Sequence, residues 1–116
     1  MQNISLCRDP RLFPFPAAVP FAPAAMSWAE CPEIRERLSA AIRNRKVPMF
    51  LIQAANDYSL APSHTLGPLL KESPLPWEAK VYPPYGSTPM EGHGKFALEG
   101  RTVWGKDVLE FLSRFQ

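Results

Sequence analysis

Asp57 and His93 are the two residues of this sequence whose side chains could act together in proton transfer. Asp57 stands four residues after Gln53, where the apolar run 49–52 stops, and His93 lies between two glycines. A carboxylate that accepts the Nδ1 hydrogen of an imidazole fixes its tautomer and stabilises the imidazolium, so that the imidazole can serve as a general base. The two residue types therefore indicate acid–base chemistry, provided that the fold brings them together.

Each of the two residues also has an ordinary structural interpretation. An Asp that follows a strand can close an Asx-turn or cap the next helix, and on position alone this role is the commoner one for Asp57. A lone His93 between glycines is typical of an exposed loop histidine. His64 lies near the start of a predicted helix with no convergent partner, and we interpret it as structural.

The convergence of Asp57 and His93 depends on three predicted strands. Residues 49–52 form a continuous apolar run behind Pro48, which is typical of a central strand buried on both faces of a parallel sheet. Residues 77–82 alternate as a second strand, and residues 17–22 predict a third that Pro20 demotes to an edge or a bulge. Because loops after parallel strands meet at one edge of the sheet, we expect a hydrogen bond between the Asp57 carboxylate and the His93 imidazole.

Three helices separate or follow these strands. Pro32 suits the first turn of a helix that ends near residue 44, and the helical period from residue 102 continues to the end of the chain. Residues 62–72 predict a helix that is kinked or split, since Pro68 in a helix interior costs about 3 kcal/mol or more. Residues 83–100 are predicted to be a long loop. Alternating strands and helices indicate the α/β class with crossover helices.

Composition limits the remaining possibilities. The 116 residues allow one domain, which we assign to 17–116 behind an irregular arm at 1–16, and 14 residues are proline against a usual ~5%. A net charge of +2 without charged blocks predicts no nucleic-acid partner, and the lack of a long apolar run predicts no membrane partner. Cys7 and Cys31 predict free thiols and, with the histidines, no metal site. We expect a soluble cytoplasmic protein.

Several segments of the sequence form a set that is specific when taken together. They are Ala25-Met26-Ser27-Trp28, residues 47–62, Tyr82-Pro83-Pro84-Tyr85-Gly86-Ser87-Thr88-Pro89, Glu91-Gly92-His93-Gly94 and Trp104-Gly105. As a set they resemble the carboxyl-terminal half of a dienelactone hydrolase-family α/β-hydrolase, over about the last hundred residues.

The resemblance implies a fold and an activity. The fold would be a partial α/β-hydrolase fold, with about three parallel strands and flanking helices. Asp57 would be the acid and His93 the base of a catalytic triad, in the chain order Ser or Cys, then Asp, then His. The activity would be hydrolysis of a small-molecule carboxylic ester or lactone through an acyl-enzyme, without metal or organic cofactor.

The sequence departs from that family at the nucleophile. No G-x-S-x-G or G-x-C-x-G motif occurs in it, so the nucleophile elbow and its oxyanion-hole donors are missing. We therefore expect a truncated hydrolase segment that keeps the acid and the base and is inactive alone. The alternatives are a split hydrolase completed by another chain and a non-catalytic interaction module. The sheet edge predicted at residues 17–22 lacks charged side chains that would discourage pairing with another chain, so we expect self-association.

Overall fold

The computed structural model describes residues 17–115, so the arm predicted at 1–16 and Cys7 lie outside the described residues. The elements in chain order are helix α1 (Pro32–Arg43), strand β1 (Met49–Ala54), helix α2 (Ala61–Leu70), strand β2 (Trp77–Tyr82), a π-helical turn (Glu91–Lys95), helix α3 (Phe96–Glu99) and helix α4 (Arg101–Ser113). The α/β class holds in its coarse form: a two-stranded parallel sheet flanked by helices. None of the helices described here is long and apolar enough to cross a membrane.

Strand β1 is the centre of the fold because it is apolar on both faces. Phe50, Ile52 and Ala54 are fully buried and pack against Phe111 of α4. Leu51, on the opposite face, packs in a second cluster with side chains of α1 and α2. Parallel pairing with β2 sets Met49 opposite Trp77 and continues in register to Ala54 opposite Tyr82. The sheet therefore has a helix layer on each face. This is expected for a strand whose apolar side chains point to both faces and must be buried on both.

Three strands are not shown, because residues 17–22 form no strand of the described sheet. Ala18 and Phe21 form only isolated bridges to β1, opposite Met49 and Ile52. The amides of Ala18 and Ala22 donate to the carbonyls of Pro48 and Ile52, which lie two residues before and two residues after Phe50. The residue that would donate to the Phe50 carbonyl between these two bonds is Pro20, which has no N–H. The proline therefore interrupts this ladder, and the segment follows β1 without becoming a strand of the sheet.

Of the kinked or split helix predicted at Pro68, the split does not occur, because α2 runs through the proline from Ala61 to Leu70. Pro68 lies in the last turn, so the bond it deletes is near the end of the helix. Leu66 and Leu70 on either side of it are fully buried in the cluster around Leu51. Burying two such side chains contributes roughly 3 to 6 kcal/mol, enough to offset the ~3 kcal/mol cost of the proline.

Candidate acid–base site

Asp57 lies in the turn after β1, where its carboxylate is completely enclosed. Its amide donates to the carbonyl of Ala54 at 3.1 Å, which folds the chain back over the end of the strand. The side chain has no exposed surface and accepts three hydrogen bonds: from Gln53 Nε2 at 3.0 Å, from the Tyr58 amide at 2.6 Å and from His93 Nδ1 at 3.0 Å. The helix that follows is not capped by Asp57, since its first amide, that of Ala61, donates to Ser59 Oγ at 3.1 Å. Asp57 therefore orders its own turn and also holds the histidine.

The predicted contact between Asp57 and His93 is confirmed, since Nδ1 lies 3.0 Å from Oδ1. The acceptor is a carboxylate oxygen, so Nδ1 carries the hydrogen and Nε2 keeps its lone pair in the neutral imidazole. The His93 side chain is 31% exposed, and among residues 17–115 no hydrogen bond reaches Nε2. The Tyr58 ring stands edge-on to the imidazole, with 5.6 Å between the ring centroids. The arrangement presents a basic nitrogen that is accessible to a reacting group.

Gln53 supports the carboxylate from the buried end of β1. It is fully buried, and its Nε2 donates both to Asp57 Oδ2 and to the carbonyl of Ser59, the latter at 2.6 Å. Its Oε1 accepts a hydrogen bond of 2.5 Å from the Ser63 hydroxyl. These partners fix which end of the amide faces Asp57. The sequence analysis used Gln53 only as the end of an apolar run, although a polar residue on a strand buried on both faces is a signal for such a role.

The predicted loop 83–100 is wrong in its second half, which is helical from Pro89 onward. The amide of Glu91 donates to Thr88 Oγ1 at 3.2 Å, and Glu91 Oε1 accepts from the Thr88 amide at 3.1 Å. This reciprocal pair is a capping box, and Pro89 occupies the first helical position that suits it. The spacing Thr-x-x-Glu, with a proline directly after the threonine, was readable in the sequence as the start of a helix.

The Glu91 carboxylate also occupies a favourable position for a negative charge at the start of this helix. Backbone and hydroxyl donors of Ser87 and Thr88 surround its carboxylate. The hydrogen bond from the Ser87 amide is the main reason that the pKa of Glu91 lies below its usual range. The ionised side chain therefore stabilises the helix start that leads into His93.

His93 sits on a π turn rather than on a flexible loop. The amide of Phe96 donates to the carbonyl of Glu91, five residues earlier, which defines the wider turn. Phe96 is buried, and its ring packs at 5.5 Å from Tyr82 and 5.7 Å from Tyr85, centroid to centroid. Short π-helical insertions occur often at functional sites. The carboxyl end of the turn is thus fixed in the core, and His93 points back toward Asp57.

The amino end of the turn is fixed by Asn56, the residue before Asp57. Asn56 Oδ1 accepts from the Tyr85 amide at 2.8 Å, while its Nδ2 donates to the carbonyls of Tyr85 and Thr88 at 2.9 and 3.0 Å. Gly92 is buried against it, and a Cβ on Gly92 would lie 2.4 Å from Asn56 Oδ1. The side chain of Asn56 and the missing side chain of Gly92 therefore set the distance between the loops after β1 and β2.

Other candidate residues lie away from this site. His64 is exposed on α2. Two surface grooves, of about 470 and 340 Å³, lie along α1, and neither is lined by Asp57 or His93. Within residues 17–115, no cluster of three or more His, Cys, Asp or Glu side chains could hold a metal ion. The contacts around Asp57 and His93 suit proton transfer at Nε2.

Comparisons of the chain with protein-family models, with curated proteins and with solved structures gave no match. The resemblance to the dienelactone hydrolase family therefore stays a hypothesis. What stands independently of it is the hydrogen bond between a buried carboxylate and a partly exposed imidazole, at the carboxyl ends of two neighbouring parallel strands.

Proposed function

We propose that Asp57 and His93 are the acid and base of an ester- or lactone-hydrolysing site of the dienelactone hydrolase type. The observation that carries the proposal is the 3.0 Å hydrogen bond from His93 Nδ1 to the enclosed Asp57 carboxylate, with Nε2 left unbonded by the described residues. Its position adds support, because open α/β sheets place their chemistry beyond the carboxyl ends of parallel strands.

The two residues would have the usual roles in acyl transfer. His93 Nε2 would take the proton of a Ser or Cys nucleophile as that nucleophile attacks the ester carbonyl, and Asp57 would stabilise the imidazolium formed. His93 would then give the proton to the leaving alkoxide oxygen and afterwards activate a water that releases the acyl group. General acid–base catalysis of this kind contributes roughly 10²- to 10⁴-fold in rate.

The nucleophile is not encoded by an elbow motif in this sequence. Because the members of a triad act as a unit, the acid and base retain little of the rate enhancement when the nucleophile is missing. We therefore propose that hydrolysis requires completion by an elbow-bearing segment on another chain or elsewhere in a longer one. The exposure of His93 is compatible with such a segment approaching Nε2.

A chimeric enzyme tests the proposal directly. Residues 17–116 would replace the corresponding carboxyl-terminal segment of a dienelactone hydrolase-family enzyme that keeps its own elbow. Its hydrolysis of p-nitrophenyl acetate would be measured after circular dichroism has shown that the chimera is folded. We expect a burst of acyl-enzyme, and a loss of about 10²- to 10⁴-fold in kcat/KM for His93→Ala.

His64→Ala is the matched control, because it removes the other histidine from an exposed position on α2. We expect its rate to stay close to that of the unmodified chimera. A folded and active chimera whose rate is unchanged by His93→Ala would show that His93 is not the base. Asp57→Asn should also lower the rate, since the amide does not support the His93 tautomer as the carboxylate does.

A further inference from the structure

Strand β2 has one edge that no described residue covers. Its other edge pairs with β1, and the amides of Met49 and Ala55 donate to the carbonyls of Pro76 and Tyr82. In a parallel pair, the N–H and C=O groups of alternate residues point toward the partner. Those of the even-numbered residues therefore face β1, and those of Trp77, Ala79 and Val81 face outward. Within residues 17–115 the sheet ends there.

The sequence of β2, Trp-Glu-Ala-Lys-Val-Tyr, is complementary to itself when a second copy runs antiparallel to it. With a two-fold axis at Ala79, Trp77 of one copy lies opposite Val81 of the other, and Glu78 lies opposite Lys80. The residues whose backbone groups face outward are the ones that this register places in hydrogen-bonded pairs. Since each such pair exchanges two bonds, the three pairs would form about six hydrogen bonds.

We propose that two copies of this chain associate through an antiparallel pair of β2 strands centred on Ala79. The proposal is independent of the function assigned to Asp57 and His93. The interface is isologous, as most closed dimers are, since the same residues contribute on both sides.

The side chains of β2 agree with this register on both faces of the sheet. On one face, Trp77 and Val81 are 37% and 42% exposed, and Ala79 between them is exposed too. A cross-strand pair of an aromatic and a β-branched side chain would cover them. On the other face, Glu78 and Lys80 are 40% and 50% exposed, so opposite charges of the two copies would meet.

Charged residues in β2 and prolines on either side of it favour one register of pairing at this edge. Lys80 and Glu78 already pair within the chain, with Asp107 at 2.9 Å and with Arg114, so their charges are held at the sheet surface. Pro76 before the strand and the prolines at 83 and 84 after it cannot donate to a ladder. The pairing is thereby limited to β2, and a shift of register would set like charges or proline opposite the partner strand.

Sedimentation equilibrium of the full chain over a wide concentration range tests the proposal. We expect an apparent mass that rises toward twice that of the single chain. Ala79→Pro removes an outward N–H that has no partner within the described chain, so it should leave a folded monomer. Leu98→Lys alters a side chain that is 81% exposed on α3, and it should leave association unchanged.

A pair of charge variants tests the register without relying on proline. Glu78→Lys places Lys opposite Lys80, and Lys80→Glu places Glu opposite Glu78, so each variant alone should be monomeric. A one-to-one mixture of the two restores opposite charges at both positions and should form a heterodimer. A structural defect in either variant would not be repaired by mixing. A wild-type chain that stays monomeric at millimolar concentration, or variants that all associate like the wild type, would overturn the proposal.

Discussion

Replacing Gly92 by alanine should disturb the contact between His93 and Asp57, whereas the same change at Gly94 should not. The two glycines flank His93 and differ in their surroundings. A Cβ at Gly92 would lie 2.4 Å from Asn56 Oδ1, 2.6 Å from its Cγ and 2.9 Å from its backbone carbon. A Cβ at Gly94 would have no atom within 4 Å. One substitution therefore forces two loops apart, and the other adds a methyl group in open space.

The size of the difference follows from these contacts. Asn56 cannot turn away freely, because its side chain makes three hydrogen bonds to the loop after β2. Overpacking of this kind costs ~1 to 3 kcal/mol. Each hydrogen bond of Asn56 that is lost adds ~1 kcal/mol. Alanine at Gly94 should instead gain up to ~1 kcal/mol from its higher helix propensity. If one of these hydrogen bonds is lost, the free energies of unfolding of the two variants should differ by ~2 to 5 kcal/mol.

Urea unfolding measures this difference, and the imidazole nitrogen signals of His93 measure the geometry. In the wild type and in Gly94→Ala, long-range ¹H–¹⁵N spectra should show the hydrogen on Nδ1. In Gly92→Ala the two tautomers should be mixed, because the carboxylate no longer accepts that hydrogen. If both variants are equally stable and His93 keeps its tautomer in each, the packing of Gly92 on Asn56 does not position the site.

Three further predictions concern the dyad and the sheet. The full chain should give no acyl-enzyme burst with p-nitrophenyl acetate and no slower rate after His93→Ala; a burst would reveal an overlooked nucleophile. Gln53→Ala should lower the free energy of unfolding in urea by ~1 to 3 kcal/mol, because the buried Asp57 carboxylate loses a hydrogen-bond donor. An unchanged urea midpoint would show that Gln53 does not stabilise the carboxylate. Hydrogen bonds from Tyr82 and Lys80 hold the pKa of Asp107 below its usual range. As the pH falls, Asp107 therefore takes up a proton in the unfolded state before it does so in the folded state, and its contribution to stability is lost as the pH falls through the lowered folded-state pKa. Asp107→Asn should weaken this acid dependence of the melting temperature between pH 5 and about 2.

The parts of the fold that sequence patterns predicted well are those with a clear local signal. An unbroken apolar run gave β1, the apolar stripe from residue 102 gave α4, and Pro32 with acidic and basic ends gave α1. The contact of Asp57 with His93 followed from the parallel direction of two strands. Each of these inferences used only local spacing and a general rule of sheet topology.

The errors arose where tertiary contacts outweighed a local rule, or where a local signal was not used. Pro68 obeys the rule that proline weakens a helix, yet packing of its neighbours keeps α2 continuous. Pro20, in contrast, does interrupt its ladder, because no other group replaces the missing hydrogen bond of its amide. The helix at Pro89 was signalled by its capping box. The role of Asn56 was not signalled at all, since its partners lie 29 and 32 residues away.

The position of Asp57 and His93 depends on a small number of elements. Asp57 is held by Gln53 of β1. His93 is held by the turn after β2, which Asn56 and Gly92 join to the first loop. Residues 17–22 contribute no hydrogen bond to either side chain in the part of the chain described. Loss of a regular third strand is therefore compatible with an intact dyad. Under the proposed function, proton transfer at His93 and the supply of a nucleophile would then be separable properties, and the nucleophile would come from another segment.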